Sequence, residues 1–533
     1  MKFRQSVIKN KQNTDGNFPV YENLNNLISE TMCSIPENEK YNKLSCLSRK
    51  CNDCGTNKLK LMTEELDDSD SAPSVLWEKY EYREVKSKDI VRKKLVLVRK
   101  QSKPKEIFEY LRYLLETFPL HQFRSSWQNK QQKHLVDNLP KNHCLLIHDF
   151  SENYRCTEKH EIQSSYFQKT EISIHVSLIY RHAVLEYDEV DSTEEIPNII
   201  CEQFIVFSDD ETHDHHFTHA VEKLINQYLK SINCDVQVMH EFTDGCSTQY
   251  KSRHCMGDFS FSCKDFGYQQ GIRNYFEPSH AKGPQDAAGG YIKHQADLSV
   301  IRGKAVIQCA EDLYKFSVKN LSNPGNTAVC KRRLFRLLKT VNRERTRYFK
   351  PVPENRQIRQ IRTTTNGNLT VRKLSCYTCE NCEGGNYNEC SIDQAFSSVA
   401  EIKMVNENDD TENGESDEYS LKDLVSPGTI AAVRAADDPE ADFYLIKANN
   451  FSQSLRKDVS DSWGAHFSSG TDVIRCNYFN KMGDNNLRYK LLGRRPAIVP
   501  SNSLVYICQE VDFVDNEILL PEDVHLRIIR SLY

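Results

Sequence analysis

Residues 143–154 decide the fold of the chain: His143-Cys-Leu-Leu-Ile-His-Asp149-Phe-Ser-Glu-Asn-Tyr154. The first half is a short apolar run bounded by polar residues, which is typical of a buried strand. This strand ends on Asp149. A sheet holds such a carboxylate rigidly while its oxygens face the accessible edge. Oxygen ligands of this kind favour a hard divalent cation, so the stretch predicts part of a metal-dependent site.

The same pattern recurs about ninety residues later, in Val236-Gln-Val-Met-His-Glu-Phe-Thr-Asp244-Gly245-Cys246. A second apolar strand ends on an aspartate, Asp244, and Gly245 follows it, where backbone can approach a ligand closely. Two acids on the tips of neighbouring strands can hold two divalent cations between them, as nucleases and polymerases do. The two stretches together predict an acid pair, Asp149 and Asp244.

The segments between the two acids favour one fold. Residues 172–180 alternate apolar and polar side chains, residues 201–207 form a third apolar run, and residues 221–229 carry the spacing of an amphipathic helix. Three strands, a helix and a strand with a second acid form the opening of a ribonuclease H-like fold. In that fold the first and fourth strands are neighbours. We therefore expect an α/β catalytic core, a mixed sheet with helices, in which Asp149 and Asp244 meet.

Bulk composition sets the class of protein. The chain has 533 residues, long enough for two to four domains, and 70 Lys and Arg balance 75 Asp and Glu. Net charge therefore indicates no partner, and local charge must be used instead. The sequence has no apolar stretch of membrane-spanning length, and its N-terminus lacks the apolar core of a signal peptide. Nineteen cysteines without such a signal favour reduced thiols and metal sites. We expect a soluble intracellular protein.

Composition shifts divide the chain into segments. We predict a disordered N-terminus, a zinc-knuckle-like module, a helical platform, the catalytic core, a basic segment with a zinc module, an acidic linker and a small β-barrel-like domain. Their ranges, in that order, are 1–30, 31–66, 75–140, 141–330, 331–400, 401–425 and 426–533. Within the platform, Pro119 is expected to separate two helices.

Two groups of cysteines have spacings that suit zinc. The first comprises Cys33, Cys46, Cys51 and Cys54, and its Cys-x2-Cys-Gly turn resembles a zinc knuckle. Its irregular spacing leaves a set of reduced core cysteines as the alternative. The second comprises Cys376, Cys379, Cys382 and Cys390, spaced Cys-x2-Cys-x2-Cys-x7-Cys. Four thiolates there can close around one Zn2+ and leave no open position, so this zinc is expected to be structural.

Residues 331–373 contain fourteen Lys and Arg and only two acids, Glu344 and Glu354. Such a density of positive charge can neutralise phosphates and release their counterions, so it predicts nucleic-acid binding without sequence preference. A solvated surface is the alternative. The residues expected to contact DNA here are Arg332, Arg333, Arg336 and Lys339.

After residue 426 the chain turns to short strands separated by Gly, Asn and Asp, at 429–433, 444–448, 473–478, 489–492 and 505–508. This spacing predicts a small all-β domain resembling a barrel. Trp463, Tyr444 and Phe467 are candidates to line a groove for a peptide or a DNA end, and core packing is the alternative.

Several runs resemble one family. They are Asp149-Phe-Ser-Glu-Asn-Tyr154, Glu161-Ile-Gln-Ser164, Thr243-Asp-Gly-Cys-Ser-Thr-Gln-Tyr-Lys251 and Ser279-His-Ala-Lys-Gly-Pro-Gln-Asp-Ala-Ala-Gly-Gly290. These runs resemble transposon-derived proteins of animal genomes that carry a DDE-type integrase core, over residues 30–510. The resemblance implies a ribonuclease H-like core, Mg2+ or Mn2+ as cofactor, and double-stranded DNA, transposon ends and target, as substrate. It also implies a nuclear location.

The family implies a third carboxylate near a helix that follows the second acidic strand. Asp286 fits because Gly283-Pro284 marks a helix start, where an Asp in the first turn also complements the helix dipole. A simple helix cap is the alternative role. The competing acids are Glu277, Asp297 and Glu311. His280 and Lys282 are expected to contact DNA phosphate or a leaving oxygen.

The sequence therefore predicts a DDE-type transposase in which Asp149, Asp244 and Asp286 bind Mg2+ and act in DNA cleavage and strand transfer. The rival is a domesticated, catalytically inactive protein that binds DNA or chromatin. The oligomeric state stays open, with a homodimer as one alternative.

Overall fold

The structure, a computed structural model, describes most of the chain. The described residues are 4–5, 20–37, 41–87, 90–157, 170–278, 280–281, 283–325, 330–345, 347, 349–350, 352, 355, 357–365, 367–383, 386–392, 400–405, 421–435, 441–483, 487–493, 495–508, 511, 513–514 and 516–532. Glu161–Ser164, Lys282, Glu354 and most of the acidic linker lie outside them. None of the described helices is both long enough and apolar enough to cross a membrane.

Helices and strands are interspersed along residues 24–403. In order they are α1 (Leu24–Ser29), α2 (Leu44–Leu47), β1 (Val75–Ser87), β2 (Ile90–Ser102), α3 (Pro104–Asp137), β3 (His143–Arg155), β4 (Glu171–His182), α4 (Leu185–Asp188), β5 (Ile199–Ser208), α5 (His215–Ser231), β6 (Val238–Thr243), α6 (Arg253–Ser260), α7 (Ser262–Phe266), β7 (Gln270–Tyr275), α8 (Pro284–Ile301), α9 (Ala310–Leu321), β8 (Arg332–Leu337), β9 (Gln360–Thr363), β10 (Asn368–Arg372), α10 (Glu380–Glu383) and β11 (Ala400–Lys403).

Strands dominate the remainder. They are β12 (Ile430–Arg434), β13 (Phe443–Ala448), β14 (Gln453–Ser454), β15 (Val459–Ser460), β16 (His466–Phe467), β17 (Asp472–Lys481), β18 (Arg488–Leu491), β19 (Ala497–Pro500), β20 (Leu504–Ile507), β21 (Phe513–Val514) and β22 (Glu517–Leu519), followed by α11 (Glu522–Leu532). The chain divides into two compact units, one of residues 1–124 with 425–533 and the other of residues 125–424.

The unit of residues 125–424 is built on a nine-stranded mixed sheet with the order β11-β10-β9-β7-β6-β3-β4-β5-β8. Strands β3, β4 and β5 form an antiparallel meander. Strand β6 lies parallel to β3 on the other side, and β7 lies parallel to β6. The predicted mixed α/β fold with a large sheet is therefore confirmed.

Helices cover both faces of this sheet. On one face, α8 places Ala288, Ile292 and Ala296 against apolar side chains of β4 and β5. On the other face, Phe217 and Val221 of α5 belong to a second cluster with residues of β3 and β5. The central strands are consequently buried on both sides. This explains why their sequences read as continuous apolar runs.

The unit of residues 1–124 and 425–533 contains the β1–β2 hairpin and a second sheet with the order β20-β12-β13-β17-β18-β22-β21. Strand β17 also pairs with β14 and β19. The hairpin was not predicted, and residues 24–29 form a helix where the sequence suggested disorder. Asn23 caps that helix by accepting a hydrogen bond from the Asn26 N–H, and Ile28 is buried.

The prediction that Pro119 separates two helices is wrong. Helix α3 runs without a break from Pro104 to Asp137 and contains Pro119 in its interior. A proline removes one backbone hydrogen bond and crowds the preceding turn. The helix continues because packing along its length outweighs that local cost.

A buried ion network lies at the β4–β5 pair. The Arg181 guanidinium donates to both oxygens of Glu202, at 2.9 and 2.8 Å, and to Asp188 at 2.7 Å. All three side chains are fully buried. A buried charge is tolerated only when it is paired and hydrogen-bonded. Arg181 therefore compensates two carboxylates whose burial would otherwise destabilise the fold.

Replacing Arg181 with Met is expected to lower the free energy of unfolding by about 3–5 kcal/mol, because two buried carboxylates lose one of their two arginine partners. The matched control is Arg155→Ala, since Arg155 forms an ion pair with Glu171 but its side chain is 72% exposed. Exposed pairs contribute about 0–1 kcal/mol. Urea unfolding of both variants measures the difference, and equal effects would contradict this role for Arg181.

Candidate functional site

The prediction that the first strand ends on Asp149 is wrong, because β3 continues to Arg155 and Asp149 pairs with Val176 of β4. The register of β3 and β6 nevertheless brings Asp149 level with Asp244, which directly follows β6. The parallel register pairs Ile147 of β3 with Phe242 of β6. Asp149 and Asp244 are each two residues further along, and neighbouring strands lie about 4.8 Å apart. Phe150 N–H donates to Asp149 Oδ1 at 2.8 Å, and Cys246 N–H donates to Asp244 Oδ1 at 2.9 Å. One backbone amide therefore orients each carboxylate.

The electrostatics of the pair are unfavourable in the absence of a cation. Burial, followed by the charges of Asp244 and Asp286, raises the pKa of Asp149 to about 8, although the Phe150 N–H acts in the opposite direction. Burial also raises the pKa of Asp244, with Asp286 acting in the same direction. Two opposing influences, the Cys246 N–H and Lys251, favour the ionised form of Asp244. The two carboxyl groups therefore resist being ionised together unless a positive charge is nearby.

Asp286 begins helix α8 and is exposed. Its Oδ2 accepts a hydrogen bond from the Gly283 N–H at 2.8 Å, so it does cap the helix. The same carboxylate influences both Asp149 and Asp244 electrostatically. The geometry therefore gives Asp286 a capping role and places its charge within reach of the pair.

The three competing acids have other partners. Glu277 is buried and binds the Arg359 guanidinium, with both nitrogen contacts at 2.8 Å. Glu311 pairs with Lys315 along α9 at 2.7 Å. Asp297 lies beside Tyr154 and, after burial, contributes to the raised pKa of that phenol. Of the four candidates, Asp286 is the acid whose charge is felt by Asp149 and Asp244.

Gly289 explains how α8 comes so close to the acidic strand. A Cβ at this position would lie 2.5 Å from Ser151 Oγ and 2.8 Å from Ser151 Cβ. Ser151 is two residues beyond Asp149, so only a residue without a side chain allows the helix to cross there. One turn further along, Lys293 Nζ donates to the Glu152 carbonyl at 3.0 Å.

Lys251 is a residue near the site that the sequence did not single out. Its side chain is buried, with 3% exposure, and its Nζ lies 4.8 Å from the centre of the Tyr275 ring. It acts on Asp244 as a nearby positive charge. The sequence feature that could have identified Lys251 is its position in the same short run as Asp244 and Gly245, seven residues after Asp244. His280 lies between β7 and α8, with its N–H donating to the Glu277 carbonyl at 3.0 Å.

The two predicted cysteine groups do converge. In each group the four sulfurs lie within 4.8 Å of one another, which suits a tetrahedral zinc site. Both sets can therefore hold structural zinc. Among the described residues these are the clusters of three or more potential ligands that meet this distance, and the three aspartates do not form one.

The second cysteine group is fixed to the centre of the sheet. Ser375 precedes it and exchanges hydrogen bonds with the Gln128 amide, at 3.0 Å through its N–H and 2.9 Å through its Oγ. Tyr377, within the group, contacts the His240 ring at 3.2 Å and receives a hydrogen bond from Asn274 at 3.0 Å. Strand β6, which leads into Asp244, and its neighbour β7 thus share a hydrogen-bond network with the cysteine group.

The arginines expected to bind DNA have internal partners. Arg332 donates to Asp188 at 2.6 Å and to Glu202 at 2.9 Å, joining the buried network of Arg181. Arg333 donates to Gln203 at 3.0 Å, and Arg336 donates to the Phe335 carbonyl at 2.8 Å. Lys339 is exposed. Contacts of these four residues with DNA remain a prediction. Arg332 also stabilises the fold through Asp188 and Glu202.

A segment after β8, which we call the arginine strap, comprises Arg343, Arg345 and Arg347. The three arginines reach different elements: Arg343 binds Asp210 and Asp214, Arg345 binds Asp258 on α6, and Arg347 binds Asp265 on α7. Histidines of α5 share two of these acids, with His215 2.7 Å from Asp258 and His219 3.3 Å from Asp265. Much of the positive charge of the basic segment is therefore neutralised within the chain.

We expect purified protein to contain about two zinc ions per chain, because each cysteine group supplies four thiol ligands. Cys379→Ser is expected to remove about one of them and to lower the melting temperature. Cys234→Ser, at a cysteine outside both groups, is the control and should leave the zinc content unchanged. Elemental analysis by mass spectrometry measures both, and zinc-free wild-type protein would contradict the assignment.

Comparison with known proteins gives one match. Residues 128–375 match a family model described as "Domain of unknown function (DUF8701)". The matched range begins in α3, includes all three aspartates and the basic segment, and ends just before Cys376. No curated protein and no solved structure matches the chain.

Proposed function

We propose that the chain is a DDE-type transposase-like protein that cleaves and joins DNA strands through a metal-dependent phosphoryl transfer. The observation that carries the proposal is the pair of half-buried aspartates, Asp149 and Asp244, which the parallel register of β3 and β6 brings to the same level. A carboxylate pair of this kind is stable when a divalent cation lies between its members.

The proposal includes a ribonuclease H-like core within residues 141–330. It is supported by the strand order β5-β4-β3-β6-β7, an antiparallel meander whose first strand is flanked by a parallel fourth strand and then a fifth. A helix separates the third strand from the fourth, and α8 follows the fifth. We also propose that the C-terminal strands close into a small barrel, since β17 pairs with four neighbours.

The donor set fits Mg2+ or Mn2+, because its members are carboxylate oxygens held on rigid strands. Asp149 and Asp244 would hold the metal, and Asp286 would complete the site. When bound, Mg2+ lowers the pKa of an attacking water or 3′-hydroxyl and neutralises charge on the leaving oxygen. The chain contributes orientation: backbone amides of Phe150 and Cys246 fix the two carboxylates.

The second candidate function is a DNA- or chromatin-binding protein that no longer cuts. One observation favours it: Asp286 engages the Gly283 N–H, and the three carboxylates do not form a cluster within 4.8 Å in the described part of the chain. A triad used only for folding would look the same. The two functions differ in whether the acids are needed for chemistry.

Asp149→Asn and Asp244→Asn are each expected to lower Mg2+-dependent DNA cleavage by on the order of a hundredfold or more, since each removes a metal ligand. Asp286→Asn is expected to do the same while keeping the helix cap, because Asn caps about as well as Asp. Glu311→Gln, on the neighbouring helix, is the control. A nuclease assay on duplex DNA measures all four, and full activity in all the Asp variants would support the non-cutting protein.

Stability gives an independent check on the acid pair. The pKa of Asp149 in the folded chain lies above its unfolded value, so the folded state binds more protons and loses stability as pH rises from about 4 through 8. Without added Mg2+, Asp149→Asn is therefore expected to raise the melting temperature at pH 8.5 relative to wild type. At pH below the unfolded pKa the two should converge. A lower melting temperature at pH 8.5 would contradict the burial argument.

The DNA interface can be tested without disturbing the buried network. Replacing Arg336 and Lys339 with Gln is expected to reduce the salt dependence of duplex binding by roughly one to two units of the slope of log K against log salt, about 0.9 per lost phosphate contact. Arg332→Gln is the contrasting variant, expected to lower stability through Asp188 and Glu202. An unchanged slope in the double variant would make these residues an ordinary solvated surface.

A further inference from the structure

Three aromatic rings meet at the surface of the C-terminal strands, and we call them the aromatic corner: Tyr444 on β13, Trp463 between β15 and β16, and Tyr478 on β17. The Tyr444 and Tyr478 ring centres are 5.8 Å apart at 72°, and those of Trp463 and Tyr478 are 5.7 Å apart at 86°. Tyr478 is thus shared by two nearly perpendicular neighbours. The antiparallel register pairs Ile446 with Tyr478, so Tyr444 points to the same side of the sheet.

Two rings of the aromatic corner are exposed to solvent, which packing into the apolar core does not explain. Trp463 is 42% exposed and Tyr444 is 36% exposed. Phe467, which the sequence grouped with them, instead packs beside the buried residues Leu455, Val473 and Ile498. Phe467 is therefore part of an apolar cluster, whereas Tyr444 and Trp463 remain exposed at the surface.

The charges around the corner suit a cation. The Arg495 guanidinium already lies over the Trp463 ring, with Cζ 4.4 Å from its centre, while its Nε donates to the Ser462 carbonyl at 3.3 Å. The Asp461 carboxylate lies beside the rings and accepts from the N–H groups of Trp463, at 2.9 Å, and Ile498, at 3.1 Å. Its charge adds to burial in raising the pKa of Tyr478 to about 12. Negative charge and ring faces both attract positive charge.

We propose that Tyr444, Trp463 and Tyr478 form a recognition site for the trimethylammonium group of a methylated lysine in a partner protein. Perpendicular rings present their electron-rich faces to one cation from several directions, and methyl groups bury apolar area against them. An unmethylated lysine keeps a strongly hydrated ammonium and gains less. Asp461 disfavours the phosphates of a DNA end, the other occupant that stacking rings attract.

The openness of the corner favours a side chain presented by a polymer over a small free ligand such as choline, because enclosed sites bury most of a small ligand. Arg495 then has a defined role. Its guanidinium occupies the indole face when no ligand is bound and is displaced by the methylated lysine. Removing it should leave binding intact or strengthen it.

The test uses the full-length chain and two alanine pentapeptides with lysine or trimethyl-lysine at the centre. A third peptide carries the neutral isostere in which carbon replaces the trimethylated nitrogen. Isothermal titration is expected to give at least about tenfold tighter binding of the trimethylated peptide than of the other two, as the summed gain of cation–π contacts with three rings. Equal binding of the isostere would overturn the proposal, as would equal binding of choline or displacement of the peptide by single-stranded DNA.

Variants assign the binding to the corner. Trp463→Ala and Tyr444→Ala are expected to abolish the preference for trimethyl-lysine, whereas Trp463→Phe should retain part of it and guards against loss of folding. Tyr291→Ala is the matched control, since Tyr291 is 40% exposed and also carries an arginine, Arg333, at 4.6 Å. Arg495→Gln should bind as tightly as wild type or more tightly. Loss of binding in Arg495→Gln, or full binding in folded Trp463→Ala, would overturn the proposal.

Discussion

The proximity of two half-buried carboxyl groups, those of Asp149 and Asp244, is the constraint on which the central sheet depends. Asp149 and Asp244 cannot separate, because the parallel pairing of β3 with β6 fixes their level. Helices on both faces of the sheet leave the two side chains only half-exposed. The pKa of Asp149 is raised to about 8 as a result. Stability elsewhere must offset this cost, and functional sites commonly have that character.

Ion pairs elsewhere in the same unit stabilise the fold against the cost of the acid pair. The Arg181 network joins β4, β5 and β8 through buried contacts, and the arginine strap connects the segment after β8 to α6 and α7. Each of these arginines satisfies an acid that a helix or strand presents. The basic segment therefore has a structural function that coexists with any contact to nucleic acid, and a variant of Arg332 reports on folding first.

The amino-acid pattern was sufficient for the parts of the fold that depend on local burial. Apolar runs located β3, β4, β5 and β6, and cysteine spacing located both thiol clusters, because these signals arise from neighbouring residues. The pattern failed for Pro119, where packing decides whether a helix continues, and for the charged β1–β2 hairpin, whose strands lack apolar alternation. Partners such as Asp188 for Arg332 are over a hundred residues apart, so composition alone suggested a free basic surface.

The attachment of the second cysteine group has a consequence for redox chemistry. Oxidation of its thiols would remove the ligands that can hold zinc and release the loop that carries Ser375 and Tyr377. Gln128 on α3 and Asn274 on β7 would then lose hydrogen-bond partners, and β7 lies beside β6, the strand that Asp244 directly follows. An oxidant acting at the thiols would thus loosen the support of the acid pair without touching either aspartate.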